Sequence, residues 1–265
     1  MQDKHIALVG LPNSGKTALL TALCLRREEC TPANSESADF CKKNFEIFKN
    51  GKWENWKSTD PNSKVLELEF LLSFKKSKII LQSEDFAGEV WDKFIDAGDE
   101  QVKSKIGHFL KNAKVVAICF DLQIKDDYKQ RFMVKNICDF LKKNKFLCDV
   151  GLVITKYDAI EDFIKTQGGL EKVLKAKLGV STFEYFNSKK RIFPVSVAEF
   201  EFNPELKVNM PIPHSPSRGM GVLENWLYGS QTRFARVKKR CEIEYGAIKE
   251  WVEEKYNELK EFGRK

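Results

Sequence analysis

Residues His5 to Thr17 read HIALVGLPNSGKT. The first part, His5–Gly10, is an apolar run without helical period, as in a strand buried on both faces. It passes into Gly10-Leu-Pro-Asn-Ser-Gly15-Lys16-Thr17, which fits G-x-x-x-x-G-K-[ST] and opens a helical pattern over Lys16–Leu25. Small residues at this spacing let the backbone N–H groups between Gly10 and Ala18, those of Asn13, Ser14 and Gly15 among them, turn inward on a phosphate at a helix N-terminus. Lys16 then reaches the β- and γ-phosphates, and the Thr17 hydroxyl ligates Mg2+.

Outward from this stretch, apolar runs recur at Val65–Phe74, Lys78–Ser83, Val115–Asp121, Val150–Thr155 and Arg191–Ser196. Helical patterns lie between most of them, at Trp91–Lys111, Asp127–Lys143 and, after Gly168-Gly169, Leu170–Leu178. Strand–helix alternation predicts an α/β fold, a mainly parallel sheet with helices on both faces. The second and third runs are too close for a parallel crossover, so they predict a hairpin and one antiparallel edge. Two stretches depart from the alternation. The insert Arg26–Lys64 carries Phe40, Phe45, Ile47 and Phe48 at helical spacing, with a stop at Asn50-Gly51. After a proline-containing loop, Phe202–Arg218, apolar residues from Phe234 to Leu259 repeat at steps of three and four. They predict a long amphipathic helix from about Val222 to Lys265, with breaks near Gly229 or Gly246. The domain division that follows is a 1–198 nucleotide-binding domain with a helical insert at about 26–64, and a 199–265 loop and helical extension packing on it.

Three further motifs close strands. Asp85-Phe-Ala-Gly88 ends the Lys78–Ser83 run. An Asp at a strand tip beside a phosphate loop holds Mg2+ through water, and Gly88 leaves its N–H free to approach a γ-phosphate. Thr155-Lys156-Tyr157-Asp158 ends the Val150–Thr155 run. A carboxylate such as Asp158 accepts from both N1–H and the 2-amino group of guanine, and adenine offers neither. The Lys156 stem packs on the base plane. Ser196-Val197-Ala198 follows the last run, where its backbone meets the guanine carbonyl.

Four motifs in this order, over roughly Ile6 to Ala198, resemble the translation-factor-related class of P-loop GTPases, which includes the Ras-like small GTPases. Within it, Gly51-Lys52-Trp53 followed by Thr59, then Asp85-Phe-Ala-Gly-Glu89, looks like the double-GTPase domains of bacterial conflict systems. The resemblance implies GTP and GDP as ligands, Mg2+, and two switch segments that read the γ-phosphate. It also implies Thr59, with Ser58 competing, as the switch residue that completes the metal shell.

The departures from the class matter. Thr155 stands where most members have Asn. Glu89 follows D-x-x-G where Ras-like enzymes have the Gln that orients the attacking water. A carboxylate there either acts as a base or belongs to the switch surface, with slow hydrolysis until a partner arrives. Lys16, Gly88 and Glu89 are the candidate catalytic residues. No arginine finger is assigned, Arg26 and Arg27 reading as a solvated helix end. Trp53 and Trp56 read as core of the insert. The competing readings are a catalytically inactive GTP-binding scaffold and a nucleic-acid-associated NTPase. A P-loop kinase leaves T-K-Y-D unexplained.

Composition narrows the rest. In 265 residues, 42% hydrophobic content supplies a full core, which excludes disorder for most of the chain. The longest apolar run, Val115 to Phe120, is far short of the ~20 residues of a membrane span. The start MQDKHIALVG is too brief for a signal-peptide core. Seven scattered Cys without a C-x-x-C pair suit reduced thiols in the cytoplasm. The net charge of +7 draws weakly on anions, and residues 199–265 carry 12 basic and 11 acidic residues, so the Arg233–Arg240 cluster does not make a basic tail for nucleic acid. A protein partner is expected at the switch segments or at the apolar stripe of the C-terminal helix.

Overall fold

A computed structural model describes residues 5–11, 13–26, 30–50, 66–74, 77–85, 106–107, 109–111, 113–124, 127–203, 208–211 and 217–229. His5–Val9 (β1) leads through the glycine-rich loop into Lys16–Leu25 (α1). Cys30–Pro32 (β2) and Ser35–Asn50 (α2) follow, then the hairpin strands Leu66–Phe74 (β3) and Ser77–Asp85 (β4). Ala113–Asp121 (β5), Asp127–Lys143 (α3) and Asp149–Thr155 (β6) come next. A 3-10 turn, Tyr157–Ile160, precedes Glu161–Thr166 (α4), Leu170–Leu178 (α5), Val180–Asn187 (α6) and Ile192–Pro194 (β7). Phe200–Asn203 (β8) and Val208–Pro211 (β9) form a small hairpin, and 220–229 is helical.

β1, β5, β6 and β7 form a parallel sheet in the order β1-β5-β6-β7. β2, β3 and β4 form an antiparallel group whose β4 lies beside β1. The result is the expected α/β arrangement, a mainly parallel sheet with an antiparallel edge.

The period of two along each strand assigns the layers. In β5, Val116, Ile118 and Phe120 enter one core, and Val115, Ala117 and Cys119 enter the other. β1 divides alike, Ala7 and Val9 against Ile6 and Leu8. Strands buried on both faces must be continuously apolar, which is why these runs lack alternation. The first core is closed by α3, α5 and α6 through Met133, Val134, Leu174, Phe183 and Phe186. The second is closed by α1, by α2 through Phe40, and by the 220–229 helix through Met220, Leu223, Leu227 and Tyr228. Trp226 stacks on Phe193 with ring centroids 4.7 Å apart. A Cβ at Gly151 in β6 would lie 2.5 Å from the Trp226 ring, so only glycine leaves room for the indole.

Four expectations change in detail. The last parallel strand is shorter than Arg191–Ser196, because Ser196 instead exchanges backbone hydrogen bonds with Arg218 (3.0 and 2.9 Å). The proline-containing loop holds the β8–β9 hairpin, with Pro211 at a strand end, a position a proline tolerates. β2, the 3-10 turn, α4 and α6 were not anticipated. Arg26, exposed at the end of α1, also pairs with the buried Glu224 at 2.9 Å and donates to Ser217 Oγ at 2.7 Å, tying α1 to the 220–229 helix. Trp53, Trp56, most of the Trp91–Lys111 pattern and the chain from 230 onward lie outside the described residues.

Packing therefore continues beyond residue 198. Leu223 is fully buried and its neighbour Val222 is 66% exposed. Leu223→Ala is expected to lower the unfolding free energy by about 2–5 kcal/mol. Val222→Ala should stay within about 0.5 kcal/mol in the same denaturant titration. Equal, small effects would detach this helix from the core.

Candidate functional site

The loop between β1 and α1 is shaped by two residues in the left-handed region, Asn13 (φ 59°) and Gly15 (φ 81°). A Cβ on Gly10 would meet Ser14 Oγ at 2.5 Å and the Cys119 carbonyl at 2.8 Å, so a side chain there would push the loop off β5. Lys16 is about nine-tenths buried, and its ammonium donates to Gly10 O (2.9 Å) and Leu11 O (3.0 Å), which sets it inside the loop. The first helical bond of α1 runs from Leu19 N–H to Gly15 O. The N–H groups of Lys16, Thr17 and Ala18 therefore precede the ladder, and no side chain of Gly15 caps them. The Cys119 thiol beneath the loop is fully buried, and burial pushes it up to about 12, with the Lys16 charge opposing. It packs as a neutral group.

The tip of β6 holds the outer side of this loop. Thr155 Oγ1 donates to Ser14 O at 2.9 Å, and Lys156 Nζ donates to Asn13 O at 2.9 Å. Carbonyl and N–H point in opposite directions across a trans peptide. Fixing Ser14 C=O on Thr155 thus aims the Gly15 N–H into the loop. The Thr155 hydroxyl is committed to the loop, with its side chain buried, so Thr155 positions the loop. Lys156 itself takes a left-handed backbone (φ 53°) and pairs with Asp121 at 2.7 Å.

Asp121, at the end of β5, was missed in the sequence, as was Gln130. Asp121 is buried, and its Oδ1 accepts from Gln123 N–H at 2.9 Å while Oδ2 accepts from Lys156. The fully buried Gln130 amide accepts from Asp121 N–H (3.0 Å) and donates to Asp121 O (2.7 Å). The position of an Asp at the end of the longest apolar run was a usable signal for the first. Nothing marked Gln130 among the polar residues of α3.

Asp158 follows on the 3-10 turn. Its N–H donates to Ser196 Oγ at 2.9 Å, and Tyr157 N–H donates to Val195 O at 3.2 Å. These bonds bring the β6 tip and the Ser196-Val197-Ala198 segment together. Ser196 and Ala198 are buried and Val197 is half-buried. The far side of that segment is braced by the Ser196–Arg218 bridge and by Arg218, which reaches Glu161 (3.0 Å) and Glu199 (3.2 Å). A Cβ on Gly219 (φ 71°) would lie 2.1 Å from Pro194 O, so the chain passes here only as glycine. Two buried polar atoms among the described residues have no protein partner at this edge, Ser14 Oγ and Asp158 Oδ1. Such atoms are costly unless a ligand supplies the missing bond.

Of the predicted site residues, the structure brings together Gly10, Asn13, Ser14, Gly15, Lys16, Thr17, Ala18, Thr155, Lys156, Asp158, Ser196, Val197 and Ala198. Thr17 is half-buried in the first turn of α1, with its carbonyl accepting from Thr21 Oγ1 at 2.8 Å. Asp85 ends β4, the neighbour of β1. Thr59, Ser58, Gly88 and Glu89 lie outside the described residues.

No protein-family model and no curated protein sequence matches this chain. Among solved structures it is similar to the G domain of the Thermotoga maritima FeoB iron transporter, at 16% identity and TM-score 0.44, covering 86% of this chain and 98% of that one. It is also similar to Methanosarcina barkeri Roco2 RocCORdC bound to GDP, at 16% identity and TM-score 0.42, covering 90% of this chain and 50% of that one.

The loop clamp has a direct test. Thr155→Val keeps the shape and removes the donor to the Ser14 carbonyl. It should cost about 1–3 kcal/mol of stability, read from the thermal midpoint. Thr155→Ser should retain most of it. Equal losses in both variants would mean that packing, and not the hydrogen bond, is what Thr155 supplies.

Proposed function

We propose that this chain binds GTP and GDP with Mg2+ and hydrolyses GTP slowly, as a nucleotide-controlled switch. The observation that carries the reading is the buried, partnerless Asp158 Oδ1, laced to a phosphate loop through Thr155 and Lys156. A phosphate cradle alone accepts any nucleoside triphosphate. A carboxylate with a buried oxygen lacking a donor, two strands along the sheet from the strand that feeds the loop, selects a base that brings two N–H donors on one edge, which is guanine.

In this reading the inward N–H groups of Gly15, Lys16, Thr17 and Ala18 hold the β-phosphate, and the Lys16 ammonium bridges toward the γ-phosphate. Asn13 and Ser14 shape the loop, with the Ser14 hydroxyl as a further donor. Lys156 lies along the base, its charge balanced by Asp121. The backbone of Ser196, Val197 and Ala198 supplies a donor to the guanine carbonyl. The donor set fits Mg2+, a hard cation served by hydroxyl and carboxylate oxygens. Mg2+, when bound, screens the triphosphate charge, and its ligands from this chain are Thr17, Asp85 and Thr59.

In hydrolysis a water oxygen bonds to the γ-phosphorus, and the bond from phosphorus to the β–γ bridging oxygen breaks. GDP, phosphate and a proton leave. Gly88 and Glu89 are the residues we assign to the γ-phosphate side. Glu89 carries a charge that the triphosphate repels, which is why the intrinsic rate is slow. Loss of the γ-phosphate releases the segments around Thr59 and Gly88, and the output is a change of affinity for a protein partner. The motif resemblance of Gly51–Trp53 and Asp85–Glu89 supports a setting in a bacterial conflict system.

Nucleotide competition tests the reading. GDP should displace a fluorescent guanine nucleotide at far lower concentration than ADP. Asp158→Asn should weaken GDP binding by about 10- to 100-fold and leave ADP binding unchanged, since a charge-assisted pair of hydrogen bonds is lost. An adenine preference would overturn the reading, and an unchanged guanine preference in the variant would remove Asp158 from the site.

A further inference from the structure

The parallel strands place the phosphate loop and the tips of β5 and β6 at one edge of the sheet, and the turns that enter β6 and β7 at the other. At that far edge α3 ends in Lys142-Lys143-Asn144-Lys145, and α6 is followed by Lys189-Lys190. Both turns converge on one ring: Lys142 Nζ lies 5.0 Å and Lys189 Nζ 4.2 Å from the Tyr185 centroid. Lys142, Lys143, Lys145, Lys189 and Lys190 are all exposed. Of the carboxylates that flank the first turn in sequence, Asp139 is exposed and Asp149 is paired with Arg191.

Two details separate this surface from ordinary solvated lysines. The first is conformational. Lys145 (φ 54°) and Lys190 (φ 52°) each occupy the left-handed position just past a helix end, where glycine is at ease and a side chain is strained. Complementing a helix dipole asks only for cations near the last turn, which Lys142, Lys143 and Lys189 supply. It does not ask for lysine at the strained residue. The second is Leu147, 82% exposed in the turn beside Lys145.

We infer that this edge is a docking surface for an anionic lipid bilayer, with Leu147 entering the interface and the lysines facing the headgroups. Diffuse negative charge suits lysine, a compact charge on a flexible stem. Recognition of nucleic acid or phosphopeptide favours the arginine fork, and the arginine at this edge, Arg191, is committed to Asp149. The surface also lies at the opposite end of the strands from the phosphate loop, so it fits an anchor that holds in either nucleotide state. This inference does not depend on the base specificity proposed above.

The test is co-sedimentation of the full chain with phosphatidylcholine vesicles with and without 30% phosphatidylserine. Binding should require the anionic lipid and fall by about tenfold or more between low and physiological salt. Lys145→Gly/Lys190→Gly removes two charges while relieving both backbones. It should keep or raise the thermal midpoint, leave GDP affinity unchanged, and weaken vesicle binding by about tenfold. Leu147→Ser should weaken it further. Absence of vesicle binding, equal binding to neutral vesicles, or unchanged binding in the glycine double variant would overturn the inference. So would retention on a single-stranded oligonucleotide with none on vesicles.

Discussion

The structure turns on where the carbonyls of the glycine-rich loop go. A loop that offers several N–H groups to one anion must face the matching carbonyls outward, and each needs a donor. Asn13 O takes the Lys156 ammonium and Ser14 O takes the Thr155 hydroxyl, both from the tip of β6. Lys156 is in turn held by Asp121 from the tip of β5, whose backbone is read by Gln130. The cradle is therefore not a property of its own eight residues. It is held open by neighbouring parallel strands whose register puts Asp121 opposite Thr155.

That register depends on burial of both faces of the sheet. β5 and β6 hold their place because alternate residues fill two cores, and each core is closed by helices from distant parts of the chain. The 220–229 helix does this for the second core, entering beside Arg218 and Gly219 against the Ser196 segment. Changes in this helix should thus be felt at Ser196 and, through it, at Asp158. The opposite edge is free of this constraint, and there the chain carries lysines at two strained turns.

The local chemistry was legible in the sequence where a short segment determines its own structure. The bounds of α1, α3 and α5 follow from period and breaks, and the loop follows from its glycines. The β3–β4 hairpin follows from the shortness of its connection. β2 was not legible, because three residues carry no period. β8–β9 was hidden by Pro211, which reads as loop although it lies at a strand end. At the site, residue types announced the loop and Asp158, but not the inward turn of Thr155 or the Asp121–Gln130 bracket. Those arise from pairings between strands, and no spacing along the chain encodes them. The lysine edge was invisible for the same reason, since its two turns are more than forty residues apart.

The central claim is that the loop, the β6 tip and the Ser196 segment form one guanine-nucleotide site. Amide hydrogen exchange followed by mass spectrometry, with Mg2+ present and with GDP or ADP added, tests it most directly. The account predicts that GDP slows exchange together at residues 13–18, 155–158 and 196–198, and that ADP leaves the last two segments unchanged. Protection confined to the loop, or equal protection by ADP at all three segments, would contradict it.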